Sequence, residues 1–183
     1  MDRVSERWAR IGPRNPRTLV HTPKAGVCLS TFVIAKQRNS ILLFRPRAHD
    51  AWETKGAFPK GWAAELAKEG AWLLPATHLL MGESPDHAAR RIVREWAGLK
   101  GTPRFLMVQS HTRRGGFLNK KLKGKHWDIC FVYELTAGTG PKAKPWWSEA
   151  HYFPIPKISR MHLGRGHLDI LKEAGMIRIR RPR

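Results

Sequence analysis

Two carboxylates and a guanidinium lie close together in the middle of the chain, at Glu83, Arg91 and Glu95. One or two carboxylates, together with the phosphates of a substrate, are enough to hold Mg²⁺, because this hard cation takes oxygen ligands. The same residues also have a structural interpretation, as an ion-paired brace at a corner between a loop and a helix. Arg91 and Glu95 are four residues apart, which places them on one face of a helix. The residue types therefore leave both a metal site and a brace open.

The helix that must position these residues is predicted to begin after Ser84 and to end before Gly98. The Ser84 hydroxyl can accept from a free N–H of the first turn, and Pro85 suits the first helical position. Gly98 suits the position just beyond the helix, where a left-handed residue closes the last turn. Apolar residues between these limits form two adjacent i, i+4 rows, which predicts one buried face. These residues are Ala88, Ala89, Ile92, Val93, Trp96 and Ala97.

This stretch resembles the Nudix box, which has the pattern G-x5-E-x7-R-E-U-x-E-E-x-G-U with U an aliphatic residue. An ungapped alignment over residues 77–99 places on pattern positions Glu83, Arg91, Val93, Glu95, Gly98 and Leu99. The neighbouring residues 72–75 and 82–85 are also similar to Nudix sequences. Thr77 stands in place of the first glycine, and Ile92 and Trp96 stand in place of two box glutamates.

In the Nudix family, the glutamates that follow the box arginine bind the divalent cation that activates hydrolysis of a phosphate bond. The resemblance implies that Glu95 and Glu83 would be the catalytic residues and would hold Mg²⁺ or Mn²⁺ if the protein were a hydrolase. Ile92 and Trp96 form an apolar i, i+4 pair instead, and these bulky side chains occupy space that a hydrated cation needs. We therefore expect Glu83, Arg91 and Glu95 to form a structural brace, with no cofactor bound.

The chain is strongly basic, with 34 Lys+Arg, 14 Asp+Glu and a formal net charge of +20. A surplus of this size attracts polyanions, of which nucleic acid is the commonest, with salt-dependent affinity. A solvated charge run or a solubility surface is the alternative. The residues predicted to contact nucleic acid lie at 112–126 and in the C-terminal tail; they are Arg113, Arg114, Lys120, Lys121, Lys123, Lys125, Arg178, Arg180 and Arg181.

The order of the predicted elements indicates a single α/β (α+β) domain, a Nudix-like mixed β-sheet flanked by helices. We expect the box helix on one side of the sheet and a terminal helix at 166–174 on the other. The predicted strands are 27–35, 41–44, 72–74, 104–111, 127–135 and 150–155. The chain is divided into a basic, proline-rich arm (1–26), the domain (27–175) with an insertion (48–71), and a basic tail (176–183). The insertion is either a flap that packs its tryptophans onto the sheet or a surface whose aromatic rings stack on bases.

Several classes of protein are excluded by the sequence. No apolar run approaches the ~18 residues of a spanning helix, and the N-terminus lacks the apolar region of a secretory signal. We therefore expect an intracellular, cytoplasmic protein without a membrane partner. Cys28 and Cys130 lie in apolar runs and are predicted to be buried free thiols.

Three functions agree with these observations. The first is a module that binds RNA or a ribonucleoprotein, similar in its eroded box and high charge to the Nudix-like components of the mitochondrial large ribosomal subunit. The second is a divergent Mg²⁺-dependent hydrolase that cleaves a nucleoside diphosphate linked to another group, or a capped RNA end. The third is a domain that binds a nucleotide without cleaving it, with Trp or Phe stacked on the base.

Overall fold

A computed structural model describes residues 10–11, 27–56, 58, 60–111 and 127–177. The strands of the sheet are β1 (Arg10–Ile11), β2 (Val27–Gln37), β3 (Ser40–Pro46), β4 (Ala76–His78), β5 (Arg104–His111), β6 (Trp127–Thr136) and β7 (Trp147–Pro154). They form one sheet in the order β5-β6-β2-β3-β7, in which β1 and β4 also pair with β2. The strand at Arg10–Ile11 lies within the predicted 1–26 arm, so that this part of the arm belongs to the sheet.

Strand β2 is the centre of the sheet. It pairs in parallel with β6 from Val27↔Trp127 to Lys36↔Thr136, and antiparallel with β1, β3 and β4. The sheet is therefore mixed, as predicted. The continuous apolar run of β2 is typical of a strand that is covered on both faces.

Alternate residues of the central strands enter two separate cores, because successive side chains of a strand point to opposite faces. One face packs against the box helix and contributes Val33, Ala35, Leu42, Phe44, Tyr133 and Leu135. The other face packs against the C-terminal helices and contributes Phe32, Ile34, Ile41, Leu43, Cys130 and Val132. Cys28 and Cys130 are both buried, as predicted.

The helices lie between and after the strands. They are α1 (Ala51–Thr54), α2 (Lys60–Lys68), α3 (Pro85–Arg91), α4 (Ile155–Ile158) and α5 (His167–Glu173), with a 3₁₀ turn at Gly164–Gly166. None of the helices formed by the described residues is long and apolar enough to cross a membrane. The predicted strand at 72–74 is wrong, since Trp72 and Leu73 make only isolated bridges, to Leu163 and Phe44.

The box helix begins as predicted and ends in a different helical form. The Ser84 Oγ accepts a hydrogen bond from the His87 N–H at 3.3 Å, and Pro85 occupies the first turn. After Arg91 the helix continues as a π-helical turn over Ile92–Trp96, closed by a bond from the Ala97 N–H to the Ile92 carbonyl. Gly98 then adopts a φ of +64°, as expected for the residue beyond the end.

Candidate functional site

Glu83 and Arg91 form a paired contact at the corner where the β4–α3 loop enters the box helix. Arg91 Nε donates to Glu83 Oε1 and Arg91 Nη2 donates to Glu83 Oε2, each at 2.7 Å. Both side chains are 12% exposed. Bidentate geometry with little exposure makes this pair stronger than an ordinary surface ion pair, because water competes with it less.

Arg91 makes further hydrogen bonds through both of its terminal nitrogens. Nη2 donates to Thr77 Oγ1 and to the His78 carbonyl, both at 3.1 Å, and Nη1 donates to the Lys55 carbonyl at 2.9 Å. Glu83 Oε2 accepts a further bond at 3.0 Å from the Leu80 N–H. The guanidinium thus joins α3, β4, the loop before α3 and the segment after α1. We call the Glu83–Arg91 pair with these bonds the brace.

Glu95 does not belong to the brace, which corrects the three-membered arrangement expected from the sequence. Its side chain is exposed, and within the described part of the chain no hydrogen bond or ion pair includes it. The i, i+4 argument assumed α-helical spacing, whereas Glu95 lies in the π-helical turn. In addition, Nε and Nη2 of the Arg91 guanidinium are directed towards Glu83.

The two box positions that carry apolar residues are part of the core. Ile92 is fully buried and Trp96 is 1% exposed. The Trp96 ring packs edge-on against Trp52 and Trp147 at centroid distances of 5.0 and 5.2 Å, and stacks on Trp146 at 5.0 Å. Its carbonyl accepts from Trp146 Nε1 at 3.3 Å and from Trp147 Nε1 at 3.1 Å. We call these four residues the tryptophan cluster.

These residues do not fit a divalent cation of the kind that the box motif implies. Mg²⁺ needs oxygen ligands in near-octahedral geometry, but the Glu83 carboxylate already accepts three hydrogen bonds and Ile92 and Trp96 offer no side-chain oxygen. Only Glu95 keeps an exposed carboxylate at a box position. Among the described residues, no group of three or more His, Cys, Asp or Glu is arranged to hold a metal ion.

A cleft lies beside the brace, between β4, the ends of β2 and β6, and the 48–71 segment. It encloses about 60 Å³, and its lining residues include Ser30, Phe32, Trp52, Phe58, Thr77, His78, Asp128, Cys130 and His167. Phe58 stacks on His78 with centroids 5.4 Å apart, and Phe32 packs edge-on against His167. The walls combine aromatic rings with a few polar groups, which is the usual composition of a small-molecule site.

The polar groups of the cleft are held by the sheet and by α5. Ser30 Oγ donates to Asp128 Oδ1 at 3.3 Å, and His167 Nδ1 accepts from the Leu74 N–H at 2.7 Å. Asp128 follows the box in sequence and lines the cleft, whereas Glu95 does not. The cleft wall therefore combines aromatic rings with polar side chains whose positions are fixed by hydrogen bonds.

Two further ionisable groups are fixed near the sheet. Tyr133 Oη donates to Asp86 Oδ1 at 2.6 Å, and burial together with this bond raises the pKa of Tyr133. Glu134 pairs with Lys36 at 2.6 Å and with Arg104 at 2.7 Å, and the hydrogen bond from Lys36 is the main cause that lowers its pKa. Tyr133 joins β6 to α3, Glu134 joins β6 to β2 and β5, and neither residue lines the cleft.

The basic residues predicted to contact nucleic acid lie outside the described residues, both those at 112–126 and those at 178–183. Sequence reasoning missed the cleft, because its walls come from five separate segments. The sequence feature that could have indicated the cleft is the aromatic content of the 48–71 insertion. Trp52 of that insertion is 4% exposed and packs against Trp96 within the tryptophan cluster, so it does not present its ring to solvent.

Comparison with known proteins agrees with the architecture. A family model described as the NUDIX domain matches residues 27–173. No curated protein matches the sequence significantly.

Solved structures share the fold at low sequence identity. The NUDIX domain of Shewanella oneidensis NrtR, complexed with ADP ribose, is 14% identical with a TM-score of 0.56, over 89% of this chain and 92% of that chain. A MutT protein from Methanosarcina mazei Go1 is 15% identical with a TM-score of 0.58, over 85% and 96% of the two chains. A NUDIX hydrolase from Nitrosomonas europaea is 18% identical with a TM-score of 0.52, over 81% and 90%.

Proposed function

Because the chain belongs to the NUDIX domain family, we propose that it binds a nucleoside diphosphate derivative in the cleft and does not hydrolyse it through a bound cation. The main observation behind this proposal is that the box positions that carry metal-binding glutamates in the motif do not present a set of carboxylates here. Ile92 and Trp96 lie in the core, and the Glu83 carboxylate is held by Arg91. A cation bound at Glu95 alone would lack the convergent carboxylates that position an attacking water.

The cleft supports binding of the base. Its volume of about 60 Å³ is small for a whole nucleotide, so the base alone would enter the cleft and the phosphates would remain outside it. Aromatic walls hold such a ring by stacking, as they do in other proteins that bind bases. The phosphates would then lie in the positive field of a chain with a net charge of +20. The ADP ribose complex of the Shewanella domain supports a ligand of this class.

The test is calorimetric titration of the full chain with ADP ribose, ADP and GDP, once with Mg²⁺ and once with EDTA. We expect binding with dissociation constants that do not change when the cation is removed, and no release of nucleoside monophosphate. Absence of binding for every nucleotide would overturn the proposal.

A divergent hydrolase is the second candidate, favoured by the likeness to the MutT protein and the NUDIX hydrolase. An assay for hydrolysis of the same nucleotides with Mg²⁺ or Mn²⁺ distinguishes the hydrolase from the binding protein. Turnover that Glu95→Gln abolishes would establish the hydrolase and reject the binding protein. Turnover that Glu95→Gln leaves unchanged would point to a contaminating enzyme.

Binding of RNA or a ribonucleoprotein is supported by net charge alone and stays a prediction. Each phosphate contact adds about one unit to the slope of log affinity against log salt, so neutralising Lys120, Lys121 and Lys123 should lower that slope by about 3. An unchanged slope would show that these lysines do not contact phosphates. The comparisons favour nucleotide chemistry over RNA, since the ligand named among the similar structures is ADP ribose.

A further inference from the structure

Gln109 of strand β5 is a buried amide without a partner. Its side chain is 2% exposed, and neither its Nε2 nor its Oε1 has a hydrogen bond. A buried donor or acceptor left unpaired costs about 1–3 kcal/mol, so each such group requires an explanation. Gln109 leaves one donor group and one acceptor unpaired at the same place.

The sheet register connects this amide with the cleft. Gln109 lies opposite Cys130 of β6, Cys130 lies opposite Ser30 of β2, and Ser30 lies opposite His78 of β4. Residues directly opposite one another share a face of the sheet, with Cβ atoms roughly 4.5–5.5 Å apart in antiparallel pairs. The row therefore runs across four strands, and its other three members line the cleft. Gln109 extends the same row by one strand.

We propose that Gln109 is a specificity-determining residue that pairs its carboxamide with a base held in the cleft, and that the base is adenine. This inference rests on the proposed nucleotide binding. Adenine presents a donor at N6 beside an acceptor at N7, which matches the Oε1 and Nε2 of a glutamine in a bidentate pair. Guanine presents acceptors at both O6 and N7 and would leave Oε1 unpaired.

The pairing explains why the amide is unsatisfied in the free protein. The ligand would supply both missing bonds, and the energetic cost of leaving them unmade would be recovered on binding. A bidentate pair of this kind discriminates between bases by on the order of tenfold to a hundredfold. An apolar side chain of the same length would remove the discrimination without disturbing the free fold.

The experiment compares the wild-type chain with Gln109→Met, using ADP and GDP as titrants, and with Gln37→Met as the matched control. Gln37 ends β2 and does not line the cleft. We expect the wild type and Gln37→Met to prefer ADP by tenfold or more, and Gln109→Met to bind both nucleotides with nearly equal affinity. Thermal unfolding of Gln109→Met should occur at the same temperature as the wild type or higher, because a buried unpaired amide has been removed.

Three results would overturn the inference. An unchanged ADP preference in Gln109→Met, with binding retained, would reject the role of Gln109 and leave nucleotide binding intact. A lower unfolding temperature for Gln109→Met would show that the amide has a structural partner such as buried water. Failure of the wild type to bind either nucleotide would reject the proposed function and this inference together.

Discussion

The indole of Trp96 stacks on the indole of Trp146, with ring centroids 5.0 Å apart and 19° between the ring planes. Trp96 stands where the Nudix box carries a glutamate, so a position that faces a cation in the motif faces other aromatic rings here. The fold and the brace are present, while the carboxylate cluster has been replaced by the tryptophan cluster.

The tryptophan cluster should contribute strongly to stability. Trp96→Ala is expected to lower the free energy of unfolding by about 3–5 kcal/mol, because it removes a fully buried ring and leaves a cavity. Denaturant unfolding followed by fluorescence measures this change. Trp62→Ala is the control, since that ring is only half-buried, and it should cost clearly less. Equal losses for the two variants would contradict the role assigned to Trp96.

The brace and Glu95 should respond differently to substitution. Arg91→Met leaves the Glu83 carboxylate with little exposure and without its counter-ion, and should cost about 3–5 kcal/mol. Glu95→Gln changes an exposed side chain and should remain within about 0.5 kcal/mol of the wild type. Chemical denaturation of both variants checks this difference. A loss for Glu95→Gln as large as that for Arg91→Met would restore Glu95 to the brace.

Glu134 should make stability depend on pH. The hydrogen bond from Lys36, helped by Arg104, holds the pKa of Glu134 below its usual value in the folded chain. A carboxyl of this kind stabilises the fold above its unfolded pKa, and this contribution is lost as the pH falls through the folded pKa. Glu134→Gln should therefore be less stable than the wild type near neutral pH, and the difference should disappear in acid.

The measurement for Glu134 is the unfolding free energy of both proteins from neutral pH to about pH 2, because the folded pKa lies below the ordinary pKa of a carboxyl and the stabilisation is lost only below it. Glu69→Gln is the control, because Glu69 is exposed, and its difference from the wild type should be small at every pH. A stability gap for Glu134→Gln that persists at acid pH would contradict the ion-pair account.

Gly82 and Gly98 both have a left-handed backbone conformation. Comparing the stability of alanine variants at the two positions separates the cost of backbone strain from the cost of a steric clash. Gly98 has a φ of +64°, and a Cβ there would lie 2.8 Å from the Lys142 Cβ. Gly82 has a φ of +75° with nothing within 4 Å of such a Cβ. Gly82→Ala should cost roughly 1–2 kcal/mol from the backbone alone, and Gly98→Ala should cost more. If Gly82→Ala and Gly98→Ala lowered the thermal stability equally, the 142–144 segment would have to move away from the new Cβ at position 98 without cost.

Much of the fold follows from local pattern. The strand at Arg104–His111 has the predicted bounds. The helix ends at Ser84 and Gly98 were predictable from the sequence, because each depends on one residue type in a defined backbone conformation. The strand at 72–74 was wrong, because an apolar run indicates burial without specifying a partner strand. Residues 76–78 pair with β2 instead.

The site was less predictable than the fold. The sequence indicated that Glu83 and Arg91 would interact but gave no sign of the π-helical turn that carries Glu95. Trp146 and Trp147 are about fifty residues from Trp96, so the tryptophan cluster exists only through tertiary contact. The sequence does not distinguish Gln109 from other polar strand residues, because its burial and its lack of hydrogen-bond partners depend on tertiary packing.

Titration of the full chain with Mn²⁺, followed by the electron paramagnetic resonance signal of the free ion, tests the central claim most directly. The described residues form no carboxylate group that could hold a divalent cation, so we predict that the wild type and Glu95→Gln leave the same amount of Mn²⁺ free. A stoichiometric Mn²⁺ that the wild type retains and Glu95→Gln releases would contradict the account.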